Sequence, residues 1–170
     1  MGYAITDKLV AWVGYAWAPT AEPLSIAHPF NEHRSWEQLT WADNFPFGRL
    51  SLRSRFEQRF FDHNAPISGS DDVAHRFRQL VKLAVPIPAI DPNLSFIVQS
   101  ELFIAMNTVD NPAFIARGYD QNRAFAGLGY KINQYATAEV GYMNQSINRP
   151  HSARPDQMMH NFVANLFLNF

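Results

Sequence analysis

Apolar and polar residues alternate along the middle of the chain, most regularly between residues 49 and 61. The even positions of this stretch are mostly apolar and the odd positions polar or charged: Leu50, Leu52, Phe56 and Phe60 against Ser51, Arg53, Arg55, Glu57 and Arg59. Ser54 and Gln58 interrupt the apolar side. Because successive side chains of a β-strand point to opposite sides of a sheet, this period of two predicts a strand with one apolar and one charged face.

Similar alternation predicts strands along the whole chain. They cover residues 2–6, 9–18, 36–44, 49–61, 73–86, 94–107, 120–132, 135–147 and 157–170. The facing of the segment 36–44 stays open, because Glu37 and Asp43 share their parity with Leu39 and Trp41. No apolar run approaches the roughly 18 residues of a membrane-spanning helix, which excludes a helical membrane protein.

The connections between the predicted strands alternate between short and long. Short connections fall at 6–8, 45–48, 86–93 and 133–134, and longer ones at about 19–35, 63–72, 108–118 and 148–156. Bacterial outer-membrane barrels have tight turns on one side and longer loops on the other. The predicted fold is therefore an all-β, antiparallel up-and-down transmembrane β-barrel, with residues 1–170 forming a single domain.

In such a barrel the charged sides of the strands face the lumen and the apolar sides face lipid. The predicted lumen charges are Arg53, Arg55, Glu57, Arg59, Arg76, Arg78, Lys82, Glu101, Arg123, Lys131 and Glu139. Phe103 is an apolar exception on this side, and Glu57 is expected opposite about Arg78. Bases outnumber acids, so the lumen is either an anion-favouring pore or binding site, or a narrow interior braced by ion pairs.

A hairpin pattern occurs twice in the chain. The segment 2–15 aligns without a gap to the segment 129–142, at a constant offset of 127 residues from Gly2 to Gly129. The second copy continues an earlier strand that begins near residue 121, whereas the first starts at Met1. This difference predicts that an upstream strand is missing and that the complete protein has about ten strands. The N-terminus also lacks the signal-peptide pattern that export to an outer membrane requires.

The last predicted strand closes on an aromatic residue. Counting back by twos from Phe170 gives Leu168, Leu166, Ala164 and Phe162, with Asn161, Asn165 and Asn169 between them. This pattern resembles the C-terminal assembly signal of outer-membrane barrels. We therefore expect Phe162, Leu166, Leu168 and Phe170 to face lipid and to engage the barrel-assembly machinery.

Composition excludes several classes of function. The net charge of −1 gives no reason to expect a nucleic-acid partner. Cysteine is absent, and no two histidines are spaced as a metal pair on one strand face, so no cofactor is expected. His151 and Ser152 lie together on a predicted outer loop but lack an identifiable acid. Candidate cation-binding or lipopolysaccharide-bridging acids are Asp71, Asp72 and Asp120.

Several short segments together resemble one bacterial family. They are 53–60, 76–78, 100–103, Arg123 with 127–130, 141–143 and His160. On these segments the chain resembles the family named domain of unknown function 2490. The resemblance implies an uncharacterised outer-membrane barrel without an assigned activity, and members of that family carry an additional N-terminal strand and a signal peptide.

These patterns lead to three hypotheses about function. The first is a non-enzymatic barrel surrounded by bacterial outer-membrane lipid, acting as a structural scaffold or as a narrow anion-favouring channel. The second is a soluble lipocalin-like binding barrel, whose apolar faces enclose a ligand while the charges face water. The third is a hydrolase active at the rim of the outer loops.

Overall fold

In the part of the chain that the structure describes, nine strands run up and down in one antiparallel sheet. The structure is a computed structural model and describes residues 1–20, 30–61, 73–109, 115–149 and 156–168. The strands are β1 (Gly2–Ala4), β2 (Leu9–Thr20), β3 (Phe30–Phe45), β4 (Gly48–Phe61), β5 (Val73–Pro86), β6 (Leu94–Ala105), β7 (Gly118–Lys131), β8 (Ala136–Ile147) and β9 (Gln157–Leu168). The predicted all-β, up-and-down architecture is confirmed.

Strand β3 shows the largest difference from the predicted boundaries, because it begins at Phe30 rather than at residue 36. Its pairing with β4 also settles the facing that the sequence left open. Trp36 lies opposite Glu57, so Glu37, Leu39 and Trp41 share the other side of the sheet. Among the described residues there is no helix with the length and apolar character needed to cross a membrane.

The sheet is strongly rolled. Lys82 on β5 donates a hydrogen bond to Glu139 on β8, and its ammonium nitrogen lies 5.0 Å from the ring centre of Phe167 on β9. In a flat sheet β5 and β9 would be about 19 Å apart, at roughly 4.8 Å per strand. We call the concave side, which carries Lys82 and Glu57, the inner face, and the convex side the outer face. Within the described residues the edge strands β1 and β9 do not pair, so the sheet is not closed.

Side chains fix two of the short connections. The side-chain oxygen of Asn133 accepts hydrogen bonds from the backbone nitrogens of Tyr135 (2.8 Å) and Ala136 (2.9 Å), which closes the turn between β7 and β8. The hydroxyl of Thr6 accepts from Leu9 at 3.0 Å in the equivalent turn between β1 and β2. Short polar side chains that bond to nearby backbone are a frequent cause of such turns.

The repeated hairpin of the sequence is a repeated three-strand unit in the structure. Gly2 pairs with Trp12 in the first copy, and Gly129 pairs with Glu139 in the second, each shifted by the same 127 residues. The next pairing agrees as well, because Leu9 lies opposite Trp41 and Ala136 lies opposite Leu168. Strands β1–β3 and β7–β9 therefore share one register along their described lengths.

Glycines on the inner face allow an aromatic ring to approach the backbone closely. Gly127 and Gly141 are directly paired, and the buried ring of Phe125 covers both. A Cβ added at Gly141 would lie 2.6 Å from the Cα of Gly127 and 2.8 Å from Cζ of Phe125. Covering paired glycines with an aromatic ring restores burial that the glycines themselves do not supply.

The described members of the predicted C-terminal assembly signal point outward. Phe162, Leu166 and Leu168 lie on the outer face, where their exposed fractions are 81%, 62% and 55%. Asn161 and Asn165 lie on the inner face, as the alternation predicts. Phe170, the terminal member of the predicted assembly signal, lies outside the described residues.

We expect Gly141→Val to destabilise the fold by about 1–3 kcal/mol, because the new side chain displaces the Phe125 ring or the Gly127 backbone. Denaturant unfolding of the purified protein measures this change. Ala126→Val is the matched control, since it adds a similar side chain on the outer face of the neighbouring strand. Equal stability of the two variants would contradict the tight packing described for the glycine pair.

Candidate functional site

The charges predicted to face a lumen all lie on the inner face, because each pairs with another inner-face position in the strand beside it. They extend over five neighbouring strands, β4 to β8. Arg53, Arg55, Glu57 and Arg59 lie on β4, Arg76, Arg78 and Lys82 on β5, Glu101 on β6, Arg123 and Lys131 on β7, and Glu139 on β8. Charged residues that alternate with apolar ones along each strand are thus brought together on one face of the sheet.

Glu57 is the carboxylate with the most guanidinium partners on this surface. Its Oε2 accepts from Arg76 Nε at 2.8 Å and Nη2 at 2.5 Å, and its Oε1 accepts from Arg78 Nη1 at 2.7 Å. Arg55 Nη1 lies 3.6 Å from the same Oε1. The Glu57 side chain is only 2% exposed, so its charge depends on these partners for compensation. Directly opposite Glu57 is Arg76, two residues from the expected Arg78, although both contact it.

Glu101 extends the same cluster across the next strand. Its Oε1 accepts from Arg53 Nη2 at 2.7 Å and from Arg78 at 2.9 Å (Nε) and 2.7 Å (Nη2). Arg78 therefore bridges two carboxylates on strands β4 and β6. We call the connected set Arg53, Arg55, Glu57, Arg76, Arg78 and Glu101 the inner network. Charge-assisted hydrogen bonds of this kind fix side-chain positions as well as neutralising charge.

Phe103 lies in the middle of the charged surface and is 1% exposed. The sequence marked it as an apolar exception, and the structure shows what surrounds it. The guanidinium carbons of Arg78, Arg123 and Arg76 lie 4.5, 4.9 and 5.4 Å from its ring centre. A ring face attracts cations, so Phe103 offers these arginines a contact that does not require another carboxylate. Among the described residues Arg123 makes no ion pair, and it makes a cation–π contact with this ring.

Sequence reasoning missed a second cluster at the long-loop end of β3. Glu32 is 4% exposed and accepts from Arg34 (2.6 and 2.9 Å) and from Arg59 (2.5 and 3.1 Å). Glu32 and Arg34 precede the predicted start of this strand. The available signal was the alternation of Glu32, Arg34 and Trp36, which continues the polar side of β3 towards its beginning.

The structure adds little about the other candidate site residues. Asp71, Asp72, His151 and Ser152 lie outside the described residues. Asp120 lies on β7 beside the point where the register with β6 shifts. Across the described part of the chain, no group of three or more His, Asp or Glu side chains is arranged to hold a metal ion.

Comparisons with known proteins agree with the resemblance seen in the sequence. A family model described as Protein of unknown function (DUF2490) matches residues 1–157. An uncharacterized protein of Methylorubrum extorquens is 31% identical over 171 residues, an alignment that covers 100% of this chain and 70% of that protein. No solved structure matches the chain. The chain belongs to the DUF2490 family of proteins of unknown function.

Proposed function

We propose that this protein is a non-enzymatic β-barrel of the bacterial outer membrane, with an interior that the inner network braces as a structural scaffold. The observation that supports this proposal is the reversed distribution of charge and apolar surface. Buried glutamates and half-buried arginines occupy the concave side, while large apolar side chains cover the convex side. A sheet that packs a core in water has the opposite arrangement, whereas a barrel in lipid requires this one.

The outer face supports the proposal along most of its length. Large apolar residues with exposed fractions of 43–55% lie on β2, β6, β7 and β8: Val13, Phe96, Val98, Leu128 and Val140. Exposing so much apolar surface to water would be unfavourable, at roughly 25 cal/mol per Å². In lipid the same side chains need no protein partner.

Polar residues interrupt the outer face around β3 to β5, and they bond to one another. Ser35 donates to Gln58 at 2.7 Å, and Gln58 donates to Glu37 at 3.1 Å. Ser54 donates to Gln79 at 2.6 Å across the next strand pair. Internal pairing of polar groups lowers the free energy required to place them against lipid.

Tyrosine and tryptophan side chains lie on the outer face at two levels, with Tyr3 and Tyr130 near the short turns. Tyr15 and Trp17 lie towards the long-loop ends, where the Tyr15 hydroxyl bonds to His33 Nδ1 and Trp17 Nε1 donates to Asn31 at 3.0 Å. The second copy of the repeat has the same pairing, between Tyr142 and His160. Amphipathic aromatic side chains at two levels are typical of barrels that cross a bilayer.

The membrane assignment predicts that the purified full chain folds in detergent and that unboiled protein migrates differently from boiled protein in gel electrophoresis. A folded barrel in detergent keeps its compact shape until it is heated, which changes its mobility. The control is the same comparison after refolding in buffer without detergent. A compact, soluble monomer in that buffer would contradict the membrane assignment and favour a lipocalin-like binding barrel.

A narrow anion-favouring channel is the second candidate, and it rests on the excess of bases over acids on the inner face. Glu57→Ala distinguishes it from the scaffold. In a scaffold the change leaves arginines without their buried partner, so stability in detergent falls by about 3 kcal/mol while conductance stays negligible. In a channel, unfolding is nearly unchanged and anion selectivity in a planar bilayer increases.

Asp43→Ala provides the matched control for the Glu57 variant, because it removes a carboxylate from the exposed Lys8–Asp43 pair. Exposed ion pairs contribute little, so this change is expected to lower stability far less than Glu57→Ala does. If Glu57→Ala matched this control in both stability and conductance, the bracing role of the inner network would be wrong.

The proposed partner in assembly is the barrel-assembly machinery, which would bind the C-terminal strand. We expect Phe170→Ser to reduce insertion into the outer membrane of cells much more than it weakens folding in detergent. Phe167→Ser is the comparison, because Phe167 faces inward and contacts Lys82. That variant is expected to weaken folding in detergent as well. Equal effects of Phe170→Ser on insertion and on folding would indicate ordinary packing of the terminal residue.

A further inference from the structure

A cavity of about 230 Å³ opens on the inner face at the short-turn ends of strands β4 to β8. It lies away from Glu57 and the other residues of the inner network. Its charged lining consists of Arg49, Lys82, Lys131 and Glu139. The uncharged polar residues of the wall are Ser51, Ser95 and Thr137, which carry hydroxyl groups, and Asn93.

The charges of this cavity are not balanced. Lys82 donates to Glu139, so one cation and the one carboxylate neutralise each other. Arg49 and Lys131 are exposed, and neither makes an ion pair or a side-chain hydrogen bond with any other described residue. Two cations therefore face the cavity with their hydrogen-bond donors free.

The repeat provides an internal comparison for these residues. Lys131, Thr137 and Glu139 occupy the places that Ala4, Val10 and Trp12 occupy in the first copy, with the same register. Apolar side chains occupy the equivalent positions in β1 and β2, so folding of the hairpin does not require charged side chains there. The presence of Lys131, Thr137 and Glu139 in the second copy therefore needs an explanation other than folding.

We propose that this cavity binds a small, water-soluble phosphate-bearing anion through Arg49 and Lys131. A guanidinium and an ammonium beside neutral hydroxyl donors match the oxygens of a phosphate group, while the excess positive charge disfavours cations. The volume accommodates phosphate with a small substituent but lies below the range of sites for drug-sized ligands. The Lys82–Glu139 pair forms one wall and fixes the position of the third base. The proposal does not depend on whether the barrel conducts ions.

Titration calorimetry with inorganic phosphate tests the proposal on the full chain, folded in whichever medium the gel experiment identifies. Chloride keeps the ionic strength constant. Saturable binding to one site is expected for the wild-type protein. The double variant Lys131→Ala with Thr137→Val introduces the residues of the first copy and should weaken binding by about ten-fold or more, as should Arg49→Gln.

Lys8→Ala is the matched control, because it removes an exposed lysine at the same end of the sheet but outside the cavity. It should leave phosphate affinity unchanged. Absence of saturable binding by the wild-type protein, or equal weakening by Lys8→Ala, would overturn the proposal. A parallel titration with micelles that contain phosphatidic acid separates the two sources of phosphate, and binding to the lipid alone would also overturn it. The gel-mobility assay on each variant confirms that lost binding is not lost folding.

Discussion

The pairing of half-buried arginines with buried glutamates on the inner face is the constraint on which the rest of this structure depends. A guanidinium cannot give up its charge at any ordinary pH, so each one that leaves water must meet a carboxylate, a dipole or an aromatic ring. Glu57 and Glu101 supply carboxylates to the four arginines of the inner network. Phe103 supplies a ring to two of these, Arg76 and Arg78, and to Arg123. The strand register must hold these groups within hydrogen-bonding distance, so a slip of one residue would turn them all to the other face.

Local backbone features fit this constraint. The register between β6 and β7 shifts between Phe103 and Ile104, next to the ring that the arginines surround. Irregularities of this type increase local twist and redirect side chains. Elsewhere on the inner face, the paired glycines Gly127 and Gly141 let the ring of Phe125 approach the backbone closely. Large charged side chains and glycines thus lie on the same concave face of the sheet.

Much of the fold was predictable because a period of two is a direct consequence of strand geometry, and it was regular along β4, β5 and β8. The alternation was less regular in β3, where Glu37 on the outer face made the parity ambiguous. Glu32 and Arg34 therefore fell before the predicted start of this strand. Partners within the network were not predictable. Arg78 reaches two glutamates on different strands, a geometry that depends on the roll of the sheet and on rotamers rather than on sequence spacing.

The shared register of β1–β3 and β7–β9 bears on how a chain of this kind can change through genetic recombination. A crossover between the DNA segments that encode the two copies would excise or duplicate one repeat length. Because the copies agree in strand direction, facing and register, the joined strand would keep every side chain on its original face. Sheet width could then change by an even number of strands in one event, while alternation, turns and neighbour pairing in the remaining strands are inherited intact.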